Sequence, residues 1–379
     1  MFRAKDNKDI NNWSEFYFRS FSEFLNHHQF KDEQDCRLYL NKLKPACRDL
    51  WSSYKNKSGN ITPDYSSSLT QEAYFLRYGP LYSHSINHVL NHLYNKMDID
   101  PFRNHGLIER GYLPRTISIY SAGPATEIWG FLKFFMETYN PYMDDYLTFN
   151  TVDRFKWSEV RLMSENPIND YLKKWHLDYK ENTGPKIFHS QYDNLLGLEN
   201  SWFKSSNFIL FQNCLNEYLS QRSEEVVLNF LSSQLNNLEK NGILLFSEIT
   251  NYNSTNLLES FFNQNNEEIE LIFKDSFELY PYAMEKIPSI ISEELLTGEH
   301  GLIPSLKNKI EVTVYRKKDY SQEQIREYEM ENNYPQDWEI ERDQMNSASD
   351  PLWSEDESAS DAWDRGQDQT DELNWDDDD

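Results

Sequence analysis

The spacing of apolar residues changes near residue 115. Before that point apolar side chains recur every three or four positions, as at Trp13, Phe16, Tyr17 and Phe21, which predicts amphipathic helices. After it, short continuous apolar runs alternate with helical patterns. The chain is therefore predicted to begin with a helical region and to continue as an α/β domain.

Three local signals divide the helical region. Leucines and aromatic residues on both sides of Pro45 predict further helices around that proline. Ser68 and Gln71 have the spacing of a capping box and predict the start of a helix. Gly79-Pro80 then interrupts the pattern before a second helix.

Seven segments have the character of buried or half-buried strands. They are residues 116–120, 146–152, 185–190, 207–211, 242–247, 268–273 and 309–315. The first five alternate with helical segments such as 128–139 and 224–238, which predicts a parallel sheet with helices on both faces. The last two follow late in the chain. We therefore expect a Rossmann-like, seven-stranded sheet that ends in an antiparallel pair.

A run of small residues, SAGPAT, follows the first predicted strand. Ser121, Gly123 and Ala125 allow the backbone to turn tightly and to approach a ligand, while the next helix directs its free N–H groups at that ligand. Small residues also ease ordinary packing between a strand and a helix. Both interpretations remain open for this run taken alone.

Polar residues stand at the ends of the following strands. They are Asp153 after the second strand, Asp193 after the third, Asn213, Asn216 and Glu217 after the fourth, and Glu248 at the end of the fifth. Each alone could be a cap or a turn residue. Because the carboxyl ends of parallel strands meet at one edge, we expect these side chains to surround a common ligand site.

These features together resemble class I S-adenosylmethionine-dependent methyltransferases over roughly residues 70 to 318. The resemblance implies S-adenosylmethionine as the cofactor, with Ser121, Gly123 and Ala125 along it. It also implies that Asp153 binds the ribose and Asp193 the adenine, while the fourth-strand edge, with Asn213 and Glu217 as candidate catalytic residues, faces the methyl group. The sequence departs from the family pattern at Ile119, where an acid is usual, and at Ser121 and Ala125, which replace glycines.

Within this family the chain is faintly similar to the methyltransferase-like proteins of mitochondrial small-ribosomal-subunit assembly. The similarity lies in EAYFLRYGPLY, AGPAT and CLNE. That group's cysteine cluster has no counterpart among Cys36, Cys47 and Cys214. The resemblance also suggests that Arg77 reaches the cofactor carboxylate; a surface salt bridge is the alternative.

Charge and composition restrict the partners. The formal net charge is −26, and residues 336–379 contribute −15 of it, with 17 acidic and 2 basic residues. Bulk electrostatics therefore oppose nonspecific binding to nucleic acid, although a local basic patch can still exist. The polar tail is predicted to be disordered, and a basic protein is a candidate partner for it.

Other features of the sequence bear on localisation and on metal binding. The chain has no signal-like start and no apolar stretch long enough to span a bilayer, so we expect a cytoplasmic protein without a membrane segment. His84, His88 and His92 form a row at helical spacing. They lack nearby acid or cysteine ligands, and we expect no metal site.

The predicted organisation has three parts. Residues 1–110 form a helical region that covers the cofactor site, residues 111–320 form the methyltransferase-like domain, and residues 336–379 form the acidic tail. Within the domain, residues 274–308 are a candidate lid or substrate insertion.

Three functions fit this organisation. The first is a methyltransferase that acts on a small molecule or a protein. The second is an RNA- or ribosome-directed methyltransferase, which needs a basic surface near Arg154, Lys156, Lys173 and Lys174. The third is a noncatalytic binding module that retains the fold and presents its tail to a partner.

Overall fold

The computed structural model describes residues 7–55, 63–97, 116–138, 147–175, 186–192, 196, 206–249, 253–279, 289–295 and 308–319. They all belong to one compact unit, Met1–Asp319. Asp193 and the acidic tail at 336–379 lie outside the described residues, so the predictions made for them stay predictions.

Seven strands form one mixed sheet. They are β1 (Thr116–Tyr120), β2 (Thr148–Asp153), β3 (Lys186–Gln191), β4 (Ser206–Gln212), β5 (Leu238–Ile249), β6 (Ile269–Leu279) and β7 (Asn308–Lys317). Their order is β3-β2-β1-β4-β5-β7-β6. The first five strands pair in parallel, and β7 runs antiparallel to both of its neighbours. This confirms the predicted Rossmann-like sheet of seven strands, including its late antiparallel pair.

The strand order creates a crevice between β1 and β4. The chain moves from β1 outward to β2 and β3, and then crosses to β4 on the opposite side of β1. Both central strands are buried over most of their length, because Ile119 and Phe208 pack in the core on one face of the sheet, whereas Tyr120 and Phe211 pack in the core on the other. At such a reversal the crossover connections diverge, which leaves room for a ligand at the carboxyl ends of the strands.

Helices cover both faces of the sheet. They are α1 (Asn7–His28), α2 (Glu33–Lys55), α3 (Ser68–Arg77), α4 (Gly79–Lys96), α5 (Glu127–Thr138), α6 (Ser158–Trp175), α7 (Leu215–Gln221), α8 (Glu224–Leu235), α9 (Ser254–Asn265) and α10 (Ser289–Glu294). One hydrophobic core lies between the helices α1 through α6 and one face of the sheet. A second core lies under α7, α8 and α9 on the other face.

A close helix contact fixes the N-terminal region on the domain. A Cβ atom at Gly130 of α5 would lie 2.3 Å from the carbonyl oxygen of Ser83 in α4, so only glycine fits there. The Ser83 hydroxyl donates to the carbonyl of Thr126 at 2.6 Å. The helical region is thereby held directly beside the turn that follows β1.

Two predictions about the helical region are wrong in detail. α2 continues through Pro45 as one helix, because its buried side chains Leu43, Cys47 and Leu50 anchor it on both sides of the proline. Ser68 and Gln71 do not form a capping box. Gln71 Nε2 instead donates to the carbonyls of Tyr65 and Lys156, at 2.7 and 2.8 Å, and so ties α3 to the loop after β2.

The segment predicted as a lid is partly sheet. β6 runs to Leu279, six residues beyond its predicted end, because residues 274–279 continue to pair with β7. Farther along, α10 packs against α2, where Glu294 pairs with Lys44 at 2.8 Å and Glu293 with Arg37 at 2.9 Å. A role for the remainder of residues 274–308 as a lid stays a prediction.

Among the helices that the structure describes, none combines the length and apolar character needed to cross a membrane. The expected cytoplasmic localisation stays a prediction.

Candidate functional site

A cavity of about 340 Å³ lies at the carboxyl ends of β1, β2 and β4. Its size falls within the range of roughly 300–1,000 Å³ that is usual for small-molecule sites. Its walls consist of Tyr65, Tyr74, Ser121, Gly123, Asp153, Arg154, Phe155, Trp157, Leu196, Gln212, Asn213, Cys214, Glu217, Tyr218, Gln221 and Arg222. The structure thus brings together five residues predicted from sequence: Ser121, Gly123, Asp153, Asn213 and Glu217.

The turn after β1 has an unusual backbone. Ser121, Gly123 and Ala125 have φ angles of 51°, 50° and 62°, in the left-handed region that bulky residues avoid. This is a physical reason for the small residues in SAGPAT. A Cβ atom at Gly123 would lie 3.5 Å from Trp157 and 3.6 Å from Tyr74, so two aromatic rings cover the glycine.

Asp153 holds this turn in place. Its Oδ2 accepts from the Gly123 N–H and its Oδ1 from the Phe155 N–H, both at 2.8 Å. Burial raises the pKa of the Asp153 carboxyl, although these N–H groups act against that rise. On the other side Arg161 Nε donates to the Gly123 carbonyl at 3.1 Å. Each carboxylate oxygen has a second acceptor position, so Asp153 still has capacity for ligand hydroxyls.

Two amide side chains end β4 inside the cavity. Asn213 has a φ angle of 53°, and within the described residues neither atom of its amide group has a hydrogen-bond partner. The Oε1 atom of Gln212 is likewise buried without a described partner, while its Nε2 donates to the Tyr82 carbonyl at 3.5 Å. Buried amides usually have partners, so these atoms suit a polar ligand.

Glu248 does not contribute to the cavity wall. Its Oε1 accepts from the N–H groups of Cys214 and Leu215 at 3.0 and 3.1 Å, which satisfies the start of α7. Burial raises its pKa to about 8. Glu248 therefore positions α7, which directs Glu217 into the cavity, and the hydroxyl of Tyr218 in the same helix is hydrogen-bonded to Ser121 Oγ at 2.7 Å.

An aromatic wall was not predicted from the sequence. The rings of Tyr65 and Tyr74 lie 5.3 Å from the ring of Trp157, and Phe155 lies 5.6 Å from Tyr65. The signal was present as aromatic residues just after Asp153 and just before α3. Such a wall offers flat surfaces on which a planar ring can stack.

Two cationic side chains line the mouth of the cavity. Arg154 follows β2 and Arg222 follows α7, and both are exposed. Arg154 Nη1 donates to Gln221 Oε1 at 3.1 Å, across the mouth. They provide local positive charge on a chain whose net charge is strongly negative.

Some predicted residues lie away from the cavity. Of those that the structure describes, Arg77 and Ala125 do not line it. Ala125 is fully buried and serves the turn through its backbone. The Tyr17 hydroxyl donates to the Arg77 carbonyl at 3.4 Å, and the Arg77 guanidinium lies 5.3 Å from the centroid of the Tyr78 ring. A contact between Arg77 and a cofactor carboxylate stays a prediction.

The histidine row on α4 packs against the sheet. The rings of His88 and His92 lie 5.1 and 4.9 Å from the ring of Phe277 in β6. Over the described ranges, no group of three or more His, Cys, Asp or Glu side chains is arranged to hold a metal ion.

No known family model matches the chain, and no curated protein does. Solved structures of similar shape include the N-methyltransferase NodS of Bradyrhizobium japonicum in complex with S-adenosyl-L-homocysteine, at 8% identity and a TM-score of 0.33, covering 72% of this chain and 100% of that one. Another is a candidate class I S-adenosylmethionine-dependent methyltransferase of Listeria monocytogenes, at 10% identity and a TM-score of 0.36, covering 83% and 90%.

A third similar structure is an rRNA methylase of Streptococcus thermophilus, at 8% identity and a TM-score of 0.29, covering 54% of this chain and 87% of that one. All three TM-scores lie below 0.5, so the assignment of the fold depends on the strand order and register observed in the chain itself. The similarity to mitochondrial assembly proteins stays a prediction.

Proposed function

We propose that the chain is an S-adenosylmethionine-dependent methyltransferase that acts on a small molecule or a protein. One observation carries this proposal: Ser121, Gly123, Asp153, Asn213 and Glu217, which lie far apart in sequence, line a single cavity at the strand reversal. The strand order, with one reversed strand next to the edge, is the order that the resemblance to class I methyltransferases implies.

The residues present fit the cofactor. Asp153 retains acceptor capacity for the ribose hydroxyls, and the aromatic wall offers faces for adenine. The unpaired amide atoms provide one donor group, Asn213 Nδ2, and two acceptors, Asn213 Oδ1 and Gln212 Oε1, for polar groups. S-Adenosylmethionine supplies a methyl group bonded to a positively charged sulfur, and the nucleophile attacks the methyl carbon in line with the carbon–sulfur bond.

The protein's contribution to this reaction is mainly positioning. Holding a nucleophile in line with the transferred carbon supplies much of the rate enhancement in such displacements. Glu217 is placed on α7 at the cavity wall, where a carboxylate can accept a proton from the acceptor. The amide of Asn213 orients the acceptor from the end of β4.

Calorimetric titration of S-adenosylmethionine tests the proposal. We expect a single site in the wild type and clearly weaker binding in Asp153→Asn, because the substitution replaces one carboxylate acceptor with a donor. Asp49→Asn, at an exposed position on α2, is the matched control and should bind as the wild type does. No heat at millimolar cofactor would refute the proposal and favour the noncatalytic module.

An RNA acceptor is the second candidate function. It is favoured by Arg154 and Arg222 at the mouth of the cavity and by Lys156, which is exposed close to Arg154. Binding of short RNA should then weaken steeply with salt and weaken further in Arg154→Gln/Arg222→Gln. If RNA does not bind, or if its binding does not depend on salt, an RNA acceptor is refuted and the proposal of a small-molecule or protein acceptor stands.

A further inference from the structure

Glu127 is a buried carboxyl group beside the cavity with no role assigned so far. It is the first residue of α5, directly after the turn that contains Gly123, and only 3% of its surface is exposed. Its Oε2 atom has no hydrogen-bond partner in the part of the chain that the structure describes. An unpaired buried carboxyl oxygen is costly, and it calls for an explanation.

The surroundings of Glu127 connect it to the cavity. The charged and titratable groups that interact with it are Asp153 of β2, Arg161 of α6, Tyr74 of α3 and Tyr82 of α4. Asp153 and Tyr74 line the cavity, and Glu127 interacts with both, although it is not itself part of the cavity wall. Burial raises the pKa of Glu127 to about 8, so at neutral pH Glu127 is mostly protonated unless a cation pairs with it.

The two acids beside the turn differ in what they can still bind. Both oxygens of Asp153 already accept a backbone N–H, whereas Glu127 keeps one oxygen uncommitted. A cation that enters a buried site needs an anionic partner, since its hydration is lost. The start of a helix also stabilises a carboxylate once it is charged.

We propose that Glu127 is the anionic partner of the α-ammonium group of S-adenosylmethionine. This inference rests on the function proposed above. Glu127 would hold the ammonium group from behind the cavity wall, with Tyr74, which lines the cavity and interacts with Glu127, shifting to admit it. The carboxyl then releases its proton to solvent, and the resulting carboxylate pairs with the ammonium group.

Two ligands that differ only at the amino-acid end separate this role from general binding. S-Adenosylhomocysteine has the ammonium group, whereas 5′-methylthioadenosine has the same adenosine and thioether without it. In Glu127→Gln we expect S-adenosylhomocysteine to bind about tenfold to a hundredfold more weakly, as for loss of a hydrogen bond to a charged group. The affinity for 5′-methylthioadenosine should stay within about twofold, because its contacts do not involve this charge.

Glu137→Gln is the matched control, because Glu137 lies on the same helix but is exposed and paired with Lys133 at 2.7 Å. It should leave both affinities unchanged. Titration at pH 7 in buffers of different ionisation enthalpy adds a second readout. The wild type should release about one proton with S-adenosylhomocysteine and none with 5′-methylthioadenosine, and Glu127→Gln should release none with either.

The outcomes are distinguishable. Equal weakening of both ligands in Glu127→Gln, or weakening of neither, would overturn the role of Glu127 while leaving the cofactor site intact. A wild-type protein that binds neither ligand would refute the proposed function itself, and the role of Glu127 with it.

Discussion

Replacing Asp153 with alanine should destabilise the protein even without a ligand. The substitution removes the acceptors of two backbone N–H groups, those of Gly123 and Phe155. The Gly123 N–H is buried, and leaving such a donor unsatisfied costs about 1–3 kcal/mol, whereas the Phe155 N–H is only partly buried and water can replace part of its bond.

Loss of Asp153 also affects Arg161. Arg161 is only 8% exposed, and its interaction with Asp153 favours the charged form of the guanidinium against the effect of burial. Removing one partner leaves a buried charge less compensated. The alanine variant no longer has to bury the Asp153 carboxyl, which offsets part of these losses. We expect a net fall of about 3 kcal/mol in the free energy of unfolding.

The expected loss can be measured by urea denaturation and by calorimetry. For a compact unit of 319 residues, with an unfolding entropy of about 2.1 cal/mol/K per residue, about 3 kcal/mol corresponds to a fall in Tm of about 4–5 °C. Asp153→Asn keeps one acceptor oxygen and should lie between the wild type and the alanine variant. Asp49→Ala, at an exposed position on α2, should change stability by less than about 0.5 kcal/mol. A loss of under about 0.5 kcal/mol in Asp153→Ala would refute the reasoning that this carboxylate holds the turn.

Three further predictions concern packing, the site and pH. Gly130→Ala should lose about 1–3 kcal/mol in urea denaturation, because its Cβ would collide with the Ser83 carbonyl; an unchanged midpoint would contradict the packing of α4 on α5. Tyr218→Phe should lose about 1 kcal/mol, because it removes the bond to Ser121 Oγ. Since burial raises the pKa of Glu127 from 4.5 to about 8, its contribution to stability is complete below about pH 4.5 and is lost as pH rises through 8. Urea denaturation at pH 5, 6.5 and 8 should therefore show that the free energy of unfolding falls less steeply with pH in Glu127→Gln than in the wild type. The difference in slope should reach up to about 1.4 kcal/mol per pH unit. Identical slopes in the two proteins would contradict this prediction.

The sheet was predictable because its strands are nearly continuous apolar runs. β1 and β4 lie within one residue of their predicted bounds, since burial on both faces leaves little ambiguity in such segments. β6 was predicted too short because residues 274–276 are three consecutive polar residues and β6 lies at the edge of the sheet. Pairing with a strand that lies far away in sequence has no local signal.

Site residues could be predicted from sequence where a position at the end of a strand was enough to place them at the cavity. Asp153 ends β2 and Asn213 directly follows β4, so the topology alone places them in one crevice. The role of Glu248 as the acceptor for the start of α7 depends on how far β5 extends beside β4, which sequence does not reveal. The aromatic wall was missed because Tyr65, Tyr74 and Trp157 come together only through the tertiary contact between α3 and the loop after β2.

The central claim is that adenosine binds between the turn at 121–126 and the loop after Asp153. Hydrogen exchange with and without S-adenosylhomocysteine tests it most directly, since it locates the ligand on the backbone. The account predicts slower exchange at residues 121–126 and 153–157, with little change in α10. Slower exchange confined to other segments, or no change at saturating ligand, would contradict it.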